Sequence, residues 1–146
     1  MVYLAITLIS LPAMAEDTTR PLLANPENKQ QVTRGKKVYM RFCAYCHGKQ
    51  LEGQPNWFKP KADGKMPAPP HNENGHTWHH ADIVLFKLTK YGMVPPHADV
   101  GYQSDMPAFE HTLKDEDIWA VLAFIKSRWP EENLKFQQEV NRTYKP

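Results

Sequence analysis

Cys43-Ala44-Tyr45-Cys46-His47 is the stretch on which the reading of this 146-residue chain turns, because it uses both of its cysteines. The spacing C-x-x-C-H is the attachment pattern of a c-type haem. At the end of a helix, positions i and i+3 reach the two vinyl-derived carbons on one edge of a porphyrin. His47, next along, then lies beneath the iron. Rival uses of the same residues lack partners. A structural zinc site needs a second Cys or His cluster to complete four ligands, and no second Cys pair exists. A thioredoxin-like Cys-x-x-Cys expects a βαβ setting, which the pattern around it does not provide.

Working outward, Val32, Gly35, Tyr39 and Phe42 recur at helical spacing and predict a first helix from about Lys29 to Cys43, ending at the attachment residues. Downstream, the segment from Gly48 to Gly75 has no apolar period, and Pro55, Pro60, Pro67, Pro69 and Pro70 forbid a long regular element. A loop of that length in a compact domain needs a reason, and wrapping a cofactor is one. A second helix is expected from about Ala81 to Tyr91, with Ile83, Val84, Phe86 and Leu88 apolar and Gly92 as its stop. Residues Met93 to Glu110 read as irregular again. The clearest helix runs from about Asp115 to Trp129, where Ile118, Val121, Leu122, Ile125 and Trp129 share one face. Asp115, Glu116 and Asp117 open it and Lys126 and Arg128 close it, as the helix dipole favours. A short helix around Leu134 to Val140, in a tail of residues 131–146, is the weakest of these expectations. With no alternating strand pattern the fold class is all-α, three to five helices around one covalently bound haem, with long Pro-rich loops.

Composition agrees with one domain that embeds an apolar group. Hydrophobic residues make up 41% and charged residues 23%, with 13 Pro and 7 Gly. Covalent fixation holds a cofactor even where a small domain buries little apolar surface of its own. The formal net charge of +2 provides no strong cationic field of the kind nucleic-acid binding relies on. At the start, Met1 to Ala15 carry no charge and end in Pro12, Ala13, Met14 and Ala15. That is the plan of a secretory signal with an A-x-A cleavage site, shorter than the roughly 20 apolar residues that span a bilayer. The expected division is a signal peptide at 1–15, an extended lead-in at 16–28, a haem domain at 29–130 and the tail. Residence in the periplasm without stable membrane insertion follows, an uncleaved N-terminal anchor being the alternative.

Three blocks resemble the class I cytochrome c family and cover most of the chain from about Val32 to Trp129. They are the first helix with Gly35, Tyr39 and Cys43-Ala44-Tyr45-Cys46-His47-Gly48; the run Met106-Pro107-Ala108-Phe109; and Asp115-Glu116-Asp117-Ile118-Trp119. The resemblance implies that Met106 is the sixth iron ligand opposite His47. Met40, Met66 and Met93 are the alternatives, but only Met106 has the family's neighbouring Pro and Phe. It also implies a proline carbonyl as acceptor for the second nitrogen of His47, with Pro69 or Pro70 as candidates. The family's first and last helices cross closely, which would set Gly35 and Tyr39 against the face around Trp119 and Leu122.

His71, His76, His79, His80 and His97 form a local excess. A ring or two, His79 or His80 with Trp78, would face the haem propionates; a second metal such as copper is the alternative. His111 reads as a surface residue. Arg34, Lys37 and Arg41, with Lys36 and Lys49 nearby, are either a solvated helix face or a rim that steers acidic partners. The resemblance implies a monomeric one-electron carrier with one haem c and redox protein partners, an oxidase, dehydrogenase or reductase. It implies no catalytic residue. A haem enzyme or gas sensor would need an open sixth position, and a subunit of a larger dehydrogenase or oxidase complex is the third reading.

Overall fold

The structure, a computed structural model, describes residues 24–145. The expected signal segment at 1–15, with residues 16–23 of the lead-in, lies outside the described residues. Among those described there are five α-helices and no strand, only an isolated parallel bridge between Met66 and Ser104. The helices are α1 (Lys29–Phe42), α2 (Ala44–His47), α3 (Asp82–Tyr91), α4 (Asp115–Lys126) and α5 (Glu131–Thr143), with a 3-10 turn at Thr77–His79 before α3.

Local chemistry sets the ends of these elements. Asn28 caps α1, its side-chain oxygen accepting from the N–H groups of Gln30 and Gln31 at 3.1 and 3.0 Å. The chain stays helical through Cys43, which keeps a right-handed helical conformation, so α2 follows without a loop and ends at His47. Gly92, at φ +86°, stops α3 as expected. Helix α4 ends at Lys126 rather than at Trp129. The residue before a proline is driven out of the helical region, so residues 127–129 wind off in a turn ahead of Pro130. Pro130 then caps α5, which is longer than the expected Leu134 to Val140 and carries Glu131 and Glu132 in its first turn.

The frame is the crossing of α1 and α4. A Cβ added at Gly35 would lie 1.8 Å from the carbonyl oxygen of Ala120 and 3.0 Å from Cβ of Phe124. Only glycine allows that approach. Tyr39, fully buried, sits one turn on with its ring 5.3 Å from that of Phe124. The expected contact with Trp119 and Leu122 is therefore corrected: the α4 face turned to Gly35 is Ala120 and Phe124. Trp119, about 100° further round the helix, stacks instead on Phe86 of α3 with ring centroids 4.4 Å apart.

Helix α5 is joined to α3 and α4 by a buried polar network. Lys126 Nζ donates to both carboxylate oxygens of Asp82, at 2.9 and 2.7 Å, and Gln137 Nε2 donates to Asp82 Oδ1 at 2.6 Å. The Asp82 N–H donates to Asn141 Oδ1 at 2.7 Å, and Asn141 Nδ2 to Gln137 Oε1 at 3.1 Å. A carboxylate so enclosed needs this many donors, because a buried charge without them is very costly. Lys126, one turn after Leu122, lies on the inward face of α4, and the Asp82 carboxylate is what satisfies its charge there.

Candidate functional site

The helical turn from Cys43 to His47 sets its side chains in different environments. Cys43 is half-buried, Cys46 is exposed, and the two are not joined in a disulfide. Burial pushes the Cys43 thiol up to about 12, with the neighbouring Cys46 adding to the effect. Tyr45, between them, is 98% exposed. His47 is 7% exposed. Its Nδ1 lies 2.9 Å from the carbonyl oxygen of Pro69. A carbonyl only accepts, so Nδ1 carries the proton and Nε2 keeps its lone pair. Burial holds this imidazole below its ordinary pKa, the Pro69 bond opposing it. The result is a neutral ring with one nitrogen tied and the other able to bind a metal.

The loop that brings Pro69 to His47 is fastened on several sides. Gly53 N–H donates to His47 O at 2.8 Å, His71 N–H to Leu51 O at 2.8 Å, and the indole of Trp129 to His71 O at 2.7 Å. At Gly53, φ is +69° and a Cβ would stand 2.4 Å from the nitrogen of Pro70, so the loop crosses itself on a glycine. Of the two candidate prolines, Pro69 meets His47, while the buried Pro70 offers its carbonyl to the hydroxyl of Thr77 at 3.5 Å.

His71 belongs in sequence to the histidine excess, and in the structure it packs on the site's own histidine. Its ring stacks on that of His47, centroids 4.1 Å apart and planes 22° off parallel, and its Nδ1 lies 2.8 Å from Thr77 Oγ1. Burial lowers its pKa well below the ordinary value. The signal for it was present only in its position, two residues after Pro69. His76 stacks on Trp57 and His79 on Trp78, at 5.2 and 3.9 Å. Among the described residues no group of three or more His, Cys, Asp or Glu side chains is arranged to hold a metal ion, so the second-metal alternative finds no site there.

Trp78 supplies a test of whether the chain fits a haem. Its Nε1 is a buried donor with no acceptor among the described residues. Buried N–H groups are almost always paired, and a haem propionate is an acceptor of the right kind. With the two thiols on one helical turn and the spare nitrogen of His47, the residues present fit the group.

The methionines fall apart in environment. Met106 is half-buried against the apolar cluster of Leu85, Phe86, Phe109, Trp119 and Leu122, and its N–H donates to Ser104 Oγ at 3.0 Å. Met66 is brought beside the same segment, its N–H donating to Gln103 O at 2.8 Å. Met40 is exposed on α1, and Met93 follows the end of α3. Ion pairs from Lys61 and Lys65 to Asp105 tie the two loops together next to Met106. Of the basic rim, Arg34 is engaged by Asp117 of α4 at 2.7 Å, so it braces the helix crossing. Lys36, Lys37, Arg41 and Lys49 remain on the exposed surface.

The family profile described as Cytochrome c matches residues 32–129. The chain is 28% identical over 124 residues to the quinohemoprotein alcohol dehydrogenase ADH IIB of Pseudomonas putida, a match that covers 84% of this chain and 14% of that protein. Among solved structures it is similar to cytochrome cL of the marine methylotroph Methylophaga aminisulfidivorans, with a TM-score of 0.53 at 18% identity, covering 83% of this chain and 70% of that one.

Proposed function

The chain belongs to the cytochrome c family and carries covalently bound haem c, and from that premise we propose that it is an exported one-electron carrier with His47 and Met106 as axial ligands. The observation that carries the reading is the His47–Pro69 bond, which leaves Nε2 as the only ring nitrogen able to reach iron. In this proposal Cys43 and Cys46 form the two thioethers and the indole N–H of Trp78 donates to a propionate. When bound, the haem supplies a one-electron couple. The chain's own residues orient it, exclude water from it and tune it. Imidazole on one side and a soft thioether on the other raise the potential relative to two histidines. Electron transfer makes and breaks no bond in a substrate, so no catalytic side chain is required.

Partners follow by analogy with the relatives. The chain spans only 14% of the length of the alcohol dehydrogenase it resembles, so a fold of this kind occurs there as one part of a larger redox protein. A dehydrogenase that oxidises small organic molecules is the proposed electron donor, and an oxidase or a further carrier the acceptor. That same partial match favours a second reading, a cytochrome subunit that works inside a dehydrogenase complex. The periplasm is the proposed location, with residues 1–15 as the export signal.

Absorption spectra of both oxidation states, with and without carbon monoxide, test the ligand set. The native protein should be low-spin and bind carbon monoxide slowly in the reduced form. Met106→Ala should open the sixth position and bind it readily, whereas Met40→Ala, Met66→Ala and Met93→Ala should not. Rapid binding by the native protein, or an unchanged Met106→Ala, refutes His47–Met106 ligation.

A further inference from the structure

Helix α5 lies beyond residues 32–129, the segment matched by the family profile, yet it is built into the side of the molecule that holds Trp78. The ring of Phe136 stands edge-on to Trp78, centroids 5.3 Å apart at 89°, and lies 5.2 Å from the ring of His79, which itself stacks on Trp78 at 3.9 Å. One residue on, fully buried Gln137 donates to the carbonyl oxygen of His80 at 3.2 Å and to Asp82. Helix α5 thus holds the 3-10 turn Thr77–His79 at Trp78 and His79 and at His80 just past its end. Its Phe136 packs on an indole whose N–H is buried without a partner among the described residues.

We infer that α5, which lies outside the profile-matched segment, is a strap which positions Trp78 and thereby sets the reduction potential. Phe136 is 47% exposed, so it is not needed to fill the core. Its contacts are spent on Trp78 and His79. Two physical effects act in the same direction. A fixed indole donor neutralises part of a propionate's charge, which favours the reduced iron, and a covered haem edge lowers the local polarity, which disfavours the more highly charged oxidised iron. Loosening the strap lowers the potential through both.

The inference rests on the proposed Trp78–propionate contact but not on the identity of the sixth ligand. A double-mutant cycle on the haem-loaded protein separates the possibilities. Trp78→Phe and Phe136→Ala should each lower the potential, the second by up to tenfold in the reduction equilibrium constant, which is about 59 mV for one electron. Phe136→Leu, which retains apolar bulk without the ring, should shift it less and serves where Phe136→Ala folds poorly. In the Trp78→Phe background, where the indole donor is already gone and only the covering ring is left to loosen, either Phe136 change should shift the potential by less than half as much as in the native protein. A second readout is hydrogen exchange of the Trp78 indole N–H, identified by its absence in Trp78→Phe. It should exchange at least tenfold faster in Phe136→Ala than in the native protein. Additive shifts, or unchanged exchange, overturn the strap while leaving the Trp78 contact standing. An unchanged potential in Trp78→Phe overturns both.

Discussion

Replacing Gly35 by Ala tests the helix crossing that frames the site. The added methyl would lie 1.8 Å from the carbonyl oxygen of Ala120, 2.4 Å from its carbonyl carbon and 3.0 Å from Cβ of Phe124. Ordinary contact needs about 3.5 Å, so α1 and α4 would have to separate locally by on the order of 1.5 Å. The obstacle is backbone, and no side chain can swing aside to relieve it. Overpacking of this kind costs about 1–3 kcal/mol, and more where backbone must move. Against it stands the gain of about 1 kcal/mol for Ala over Gly inside a helix. Taking the cost at its upper end, the net loss is about 2 kcal/mol, which in a domain of this size lowers the melting temperature by roughly 6–12 °C. Thermal unfolding of the haem-loaded protein, followed by far-ultraviolet circular dichroism, measures it. A Gly35→Ala protein that melts at or above the native temperature would refute the close crossing, because the propensity gain would then be the only effect left.

Two further outcomes are expected. Cys43→Ala and Cys46→Ala should each weaken covalent haem retention, and the double variant should lose haem staining after denaturing gel separation; full staining of the double variant would contradict thioether attachment at these residues. Lys126→Ala removes one partner of a buried ion pair and leaves Asp82 with Gln137 as its remaining side-chain donor, so denaturant unfolding should show a loss of about 3–5 kcal/mol, whereas the Asp82→Leu, Lys126→Met double variant should lose far less.

Much of the fold and part of the candidate site are legible in the residues themselves. Local rules suffice for what is local. The apolar stripe of α4 with its acidic first turn, the Gly92 stop and the proline-broken segments each follow from interactions within a few residues, and the structure has them. The extent of α5 was less legible, since its ends depend on Pro130 and on a polar face that only becomes useful when buried against α3 and α4.

The run Cys43-Ala44-Tyr45-Cys46-His47 determined by itself that the chain belongs with proteins that hold haem covalently, because spacing along one helical turn is a property of sequence alone. It could not choose between Pro69 and Pro70, since both carbonyls lie on the same loop and differ only in how that loop is turned. The choice came from the Gly53 crossing and from the anchoring of His71 by Leu51 and Trp129. Nor could it place His71 on the ring of His47, pair Lys126 with Asp82, or set Phe136 on Trp78. Those pairings join residues far apart in the chain, and their partners are selected by packing rather than by any local preference. Tertiary structure alone therefore decided which polar groups are buried together.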